Sequence, residues 1–371
     1  MHMNKNALLF LMMMPFWANG QKAILYVGTF SERESKGIYV YEFDLQSAET
    51  KLLHTIDHLK SPSFLTLHPN GQFLYAANRE SIVEGKDWAS LTAFAIDPTN
   101  GNLRPLNDAS ALAPGACYIQ ADHTGQQIFV ANYAGGSMAA YALEEDGKIG
   151  PLLGHFPYQK ENGPVAHAHA AVPSPDNRFL FVPDLGNDEV VAYKIRPTKG
   201  KIKMAKSASF QVEKGFGPRH LIFHPNGRFA FIAEELKSSV TAYAYQARTG
   251  QMDFLQREST LPSDFKEFSK VADIQIHPNG KFLYVSNRGH NSLAMYGVDP
   301  MTGNLSKLGH QATGGEYPRG FMITQDGRYL LVANRNSDNI VIFEIDADNG
   351  SLKETGQVIK MPSPVCLKMK Y

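Results

Sequence analysis

A phrase of eleven residues, a tight turn running straight into a short apolar strand, appears six times along this chain. It begins at His68 (HPNGQFLYAAN), Asp122 (DHTGQQIFVAN), Ser174 (SPDNRFLFVPD), His224 (HPNGRFAFIAE), His277 (HPNGKFLYVSN) and Thr324 (TQDGRYLLVAN). Asn-Gly or Asp-Gly tolerates the positive φ of the turn, and Pro presets the residue before it. The Phe-Leu-Tyr-Val runs suit strands buried on both faces. Each copy continues into another strand, an acidic residue and a turn ending in Gly, as in 91–101, 293–303 and 340–350. A last strand follows, so one unit of about fifty residues reads as four strands.

A seventh unit is split between the chain ends. Ile24-Leu25-Tyr26-Val27-Gly28-Thr29 matches the second strand of the phrase without its turn, 37–44 the third and 51–56 the fourth. Ser363-Pro364-Val365-Cys366 resembles Ser61-Pro62-Ser63-Phe64, which opens the first complete unit. The C-terminus thus supplies the innermost strand of the last unit and the N-terminus the other three, which closes a ring and removes a free sheet edge. The expected fold is all-β: a seven-bladed β-propeller of four-stranded antiparallel blades.

Before the repeat, Lys5, the apolar run 7–17 and Ala18-Asn19-Gly20 read as a signal peptide over 1–20. The apolar run is shorter than the roughly 20 residues of a membrane helix. A propeller over 21–371 in the periplasm or outside the cell is expected, or in the cytoplasm if that segment is no signal. Cys117 and Cys366 fall in non-neighbouring blades, so two free buried thiols are expected rather than a disulfide. Lys+Arg and Asp+Glu are both 36, so nothing in the charge points to nucleic acid or an anionic membrane.

A repeat lets positions be compared within one chain. Six residues before the turn position lie Ser63, Cys117, His169, Arg219, Ala272 and Arg319, on the innermost strands that line the central channel. Ten residues after it lie Arg79, Tyr133, Leu185, Glu235, Arg288 and Arg335, near one mouth of that channel. Structural columns in a repeat are monotonous; these two vary and gather charge on blades three to six. Charges so placed must pair with one another or with a ligand. An ion-pair ring of Glu235 with Arg219 and Arg288 that ties blades together is compatible with a site. His167 and His169 are expected on one face of a strand. The pair lacks an evident third ligand, so no metal is expected and an acid–base or hydrogen-bonding role is favoured. His220 should alternate away from Arg219 and pack between blades. The column of Asn78, Asn132, Asn287 and Asn334, with Asp184 and Glu234, should satisfy backbone at strand ends; Asp184 and Asn287 could also reach a ligand.

Read with its loops, the chain resembles the lactonase family of seven-bladed propellers, which includes cycloisomerase-type 6-phosphogluconolactonases and 3-carboxy-cis,cis-muconate lactonizing enzymes. The motifs are His167-Ala168-His169, Gly217-Pro218-Arg219-His220, Glu235-Leu236, Ser286-Asn287-Arg288-Gly289 and Pro318-Arg319-Gly320. The resemblance implies His169, Arg219, Glu235 and Arg288 as catalytic residues; beside them the columns offer Arg319 and Arg335 for a phosphate on the substrate, and His167, Asp184 and Asn287 as further contacts to it. It implies hydrolysis of a small sugar-derived lactone by a monomer without a cofactor. The alternatives are a muconate-type lactonizing cycloisomerase and a non-catalytic extracytoplasmic binding propeller. Two departures stand out. Ala166 replaces the family's usual Pro, and Glu234 its usual Asn, which would add negative charge beside the site.

Overall fold

The computed structural model describes residues 22–80, 88–195 and 202–371; the candidate signal peptide lies outside them. Seven antiparallel sheets form the ring, each from consecutive strands except one. That one joins Pro364–Lys370 to Lys22–Thr29, Ile38–Asp44 and Thr50–Ile56. Ile24 pairs with Lys370, Tyr26 with Lys368 and Val27 with Leu367, so the last blade is shared by the chain ends as expected. Among the described residues no helix is long and apolar enough to cross a membrane.

The turn phrase holds neighbouring blades together. His68, His224 and His277 each face the carbonyl of the turn glycine in the next blade: Nε2 lies 3.0 Å from Gly125 O, 2.9 Å from Gly280 O and 2.9 Å from Gly327 O. Their Nδ1 atoms accept the N–H of Asn70, Asn226 and Asn279, which makes Nε2 the protonated donor. Where the phrase begins with Asp122 the carboxylate does the same work, accepting Asn177 Nδ2 from the next blade at 2.8 Å. Apolar side chains between the blades, such as Phe229, Phe231, Leu283 and Tyr296, are buried in shared clusters.

Blade three departs from the four-strand pattern. Its inner strand shrinks to Val172–Pro173, with an isolated bridge between Ala168 and Asp184, and two short pieces, Lys203–Met204 and Phe210–Gln211, share its outer edge. Pro183 is the cause on the inner side. Its carbonyl accepts His169 N–H at 3.0 Å, but it has no N–H to return.

One irregularity repeats around the channel. On the inner strands Pro62 pairs with Asn78 and Phe64 with Ala77, leaving Ser63 unpaired; Cys117, Arg219, Arg319 and Val365 are skipped in the same way. In blade five the skip covers Ala272 and Asp273. These are β-bulges, which bend the strand and re-aim a side chain. The first sequence column is therefore the bulge column.

Candidate active site

Glu235 follows the second strand of blade four and is the centre of the charge cluster. Its Oε2 lies 3.1 Å from Arg219 Nε and 2.9 Å from an Arg288 terminal nitrogen, and Lys270 Nζ approaches Oε1 at 3.5 Å. Arg219, on the bulge of the same blade, is only 2% exposed. Its NH1 donates to Ala272 O and meets His220 Nε2 at 3.1 Å. Arg288 donates to Val271 O at 2.7 Å and to the Tyr317 hydroxyl at 3.3 Å. The expected ion-pair tie exists, and it spans blades four and five.

Above it opens a cavity of about 220 Å³ lined by Arg79, Tyr133, His169, Glu235, Lys270, Arg288, Tyr317 and Arg319. Arg219 is behind Glu235 and borders instead a deeper channel cavity of about 380 Å³. Lys270 and Tyr317 stand outside both sequence columns. They sit two residues before Ala272 and Arg319, in the row that also holds His167, so stepping each inner strand back by two would have found them. Tyr317 takes a left-handed φ of 61°.

The electrostatics separate the titratable groups. Burial pushes the Glu235 carboxyl upward, but Arg288, Arg219, Lys270 and Arg319 outweigh it and hold the group below its ordinary range. Burial and then Arg219, His220 and Arg319 keep His169 neutral well below the usual imidazole range. Burial foremost, then Arg219 and Arg288, lowers Arg319 to about 9. Arg319 has no hydrogen bond or carboxylate partner among the described residues and rests 5.1 Å over the Phe30 ring; Arg79 is likewise unpaired there, 5.8 Å over the same ring.

Several expected roles change. Arg335 is gripped by both oxygens of Glu32, at 2.7 and 2.8 Å, and lies outside the cavity lining. Asp184 is fully buried and accepts the backbone N–H of His167, Gly186 and Asn187; it shapes the loop that carries the histidines. Asn287 is spent on Thr260 O and the Thr260 and Ser292 hydroxyls, the backbone work expected of its column. His167 stacks on Tyr133 with centroids 4.3 Å apart and its Nδ1 2.9 Å from Tyr133 O; it supports the cavity wall without lining it. Glu234 is clasped by Arg257 at 2.9 and 3.1 Å and by Ser239 at 2.7 Å. Its charge is thus neutralised away from the cavity. Cys117 and Cys366 are free and buried, as expected. Among the described residues no group of three or more His, Cys, Asp or Glu is placed to hold a metal ion.

A propeller closed by its own termini carries at its channel mouth a carboxylate, a buried histidine and excess cations about a cavity sized for a small polar molecule. The chain belongs to the lactonase family of seven-bladed β-propellers, whose family model matches residues 24–369. It is 34% identical over 315 residues to a 6-phosphogluconolactonase of Formosa agariphila, covering 81% of this chain and 86% of the relative. To a 6-phosphogluconolactonase of Bacillus subtilis it is 30% identical over 308 residues, covering 81% and 85%. The solved structure of a periplasmic gluconolactonase from Pseudomonas aeruginosa superposes with a TM-score of 0.87 at 32% identity, over 95% of this chain and 99% of that one. These relatives do not favour the cycloisomerase or the non-catalytic reading.

Proposed function

We propose that this chain hydrolyses a sugar-derived lactone in the channel-mouth cavity, as a 6-phosphogluconolactonase-like enzyme. The observation that carries the reading is Glu235 clamped between Arg219 and Arg288 beside an imidazole kept neutral. The lactone carbonyl oxygen faces Arg288, which lines the cavity. His169 takes a proton from water as the oxygen attacks the carbonyl carbon, and the oxyanion formed in that step offsets the new imidazolium charge. When the tetrahedral species collapses, the ring C–O bond breaks and His169 returns the proton to the leaving ring oxygen, giving the hydroxy acid. Glu235 already contacts three cations through its two oxygens, so its task is to hold them in place. Arg219 supports this carboxylate from below.

Arg319, with Arg79, is the natural grip for an anionic substituent, since neither is paired with a carboxylate among the described residues. Guanidinium matches phosphate or carboxylate with two hydrogen bonds. Arg335, assigned to such a group from sequence, is committed to Glu32. The N-terminal segment and the periplasmic relative support export, with the mature chain starting near Gln21, which cell fractionation tests; that it acts as a monomer is a separate part of the proposal, which sedimentation tests.

The deciding experiment follows acid release by the purified chain on phosphorylated and plain aldonolactones. Hydrolysis by wild type, with losses of 100-fold or more in Glu235→Gln and Arg288→Gln, is expected. Variants that keep wild-type rates would place the chemistry elsewhere.

A further inference from the structure

The bulge at Arg219 has a consequence for the residue after it. Regular alternation would send His220 to the opposite face of the strand. The skip between Pro218 and His220 breaks that alternation, and the two consecutive side chains meet, Arg219 NH1 to His220 Nε2 at 3.1 Å. The other ring nitrogen, Nδ1, lies 2.9 Å from Asp273 Oδ1. Asp273 comes from the bulge of blade five, and its carboxylate is pinned by backbone. Oδ1 accepts Ile274 N–H at 2.9 Å and Oδ2 accepts Phe321 N–H from blade six at 3.1 Å. Its own N–H goes to the Ser286 hydroxyl at 2.9 Å. Every member of this chain is nearly inaccessible to solvent.

Only one arrangement of protons satisfies these contacts. Asp273 as a carboxylate can only accept, so His220 carries its proton on Nδ1; the Nε2 lone pair then receives Arg219 NH1, which also serves Ala272 O. With NH1 so engaged and Nε beside Glu235, the plane of the guanidinium is set. We propose that Asp273 and His220 are positioning residues for the hydrolytic site: they orient Arg219, and through it fix Glu235 and the charge that faces His169. They border the deeper cavity and not the one at the mouth, so they act without touching a lactone bound there. The inference rests on the lactone-hydrolase reading for its kinetic test, and on the geometry alone for its spectroscopic one.

Three variants separate orientation from simple blade tying. His220→Phe keeps ring volume but offers Arg219 no acceptor. Asp273→Asn is close in shape, yet its amide can donate to Nδ1 and drive the proton to Nε2, where it opposes Arg219 NH1. His220→Gln can retain both a donor and an acceptor. The first two should lower kcat about 30-fold or more with KM within threefold, and His220→Gln should recover at least a third of the wild-type rate. The groups facing His220 are Asp273, Arg219, His169 (ring centroids 5.3 Å apart), Tyr118 at 5.4 Å and Phe64 at 6.0 Å, with Arg319 nearby. Releasing Arg219 weakens its repulsion of a His169 imidazolium, so the acid limb of the pH–rate profile should move up by about half a unit or more. NMR titration of the His169 ring should show the same shift with no substrate present. Unchanged kcat and unchanged His169 titration in both His220→Phe and Asp273→Asn would overturn the proposal. So would losses in all three variants that merely track a lowered thermal midpoint. A wild type that opens no lactone, with the His169 shift intact, would overturn the functional reading and leave the positioning role standing.

Discussion

The Arg319 guanidinium carbon lies 5.1 Å from the centre of the Phe30 ring, and among the described residues no carboxylate pairs with it. Arg79, over the same ring, shares this state, and the other nearby arginines differ. Arg335 has Glu32, Arg288 and Arg219 share Glu235, and Arg33 has Asp338. A cation this enclosed is disfavoured unless an anion arrives. Arg319→Gln should raise KM for a phosphorylated or carboxylated lactone by about 10- to 100-fold while changing that for an uncharged lactone less than threefold. Equal losses on both would place Arg319 in the ring chemistry instead. Burial and the neighbouring Arg219 and Arg288 lower its pKa, but guanidinium keeps its charge through the working pH range, so the wild-type preference for the anionic lactone should persist at alkaline pH, after subtraction of spontaneous hydrolysis.

His169→Asn should cost about 100-fold or more in kcat, with KM little changed, because the variant keeps polarity but cannot carry a proton between water and the leaving oxygen. The wild-type base is the neutral imidazole, and its pKa is depressed by burial and by the neighbouring cations. The rate should therefore stay level as pH falls through 6.5, the ordinary imidazole value, and drop only well below it. An acid limb centred at or above 6.5 would contradict the proton assignment.

Fold stability should carry the same signature through His220. Burial and Arg219 lower its pKa from 6.5 to about 4, against the opposing bond to Asp273. The unfolded chain thus binds this proton more readily than the folded one. The stabilisation is complete above about pH 6.5 and declines as pH falls toward 4, by on the order of 3 kcal/mol. His169 contributes with the same sign. Thermal midpoints of wild type should fall across this window, and those of His220→Phe should fall less steeply.

Blade packing offers a test remote from the site. Gly303 ends the turn of blade five at φ +77°, and a Cβ there would meet Phe229 Cδ1 of blade four at 2.5 Å. Gly303→Ala should destabilise the protein by about 1–3 kcal/mol, seen as a lower midpoint in urea, with kcat retained in the folded fraction. Phe229→Ala in the same background should not add its full cost, since it removes the clash.

The repeat, the split blade and the charged columns were all legible in the chain because each rests on local rules. Turn residues need positive φ, strand residues need burial, and a ring must return to its start. Register spacing alone also brought His169, Arg219, Glu235, Arg288 and Arg319 to one region of the channel, where the structure gathers them. Lys270 and Tyr317 were within reach of the same counting, two residues before Ala272 and Arg319.

Which charge answers which was decided by tertiary structure. Glu32, from the loop after Lys22–Thr29, takes Arg335 across blades, and Arg257, from the outer strand of blade four, takes Glu234 over the strand that lies between them. Asp184 is buried like every other member of its column, and its carboxylate takes the backbone N–H of His167, Gly186 and Asn187. Above all, alternation placed His220 opposite Arg219, whereas the bulge brings them together and links both to Asp273 on the next blade. Periodicity is a property of a regular strand, so the sequence determined the ring and the positions around its channel. Alternation does not hold across a bulge, so the aim of each side chain into that channel, and the proton it holds, belonged to the folded molecule.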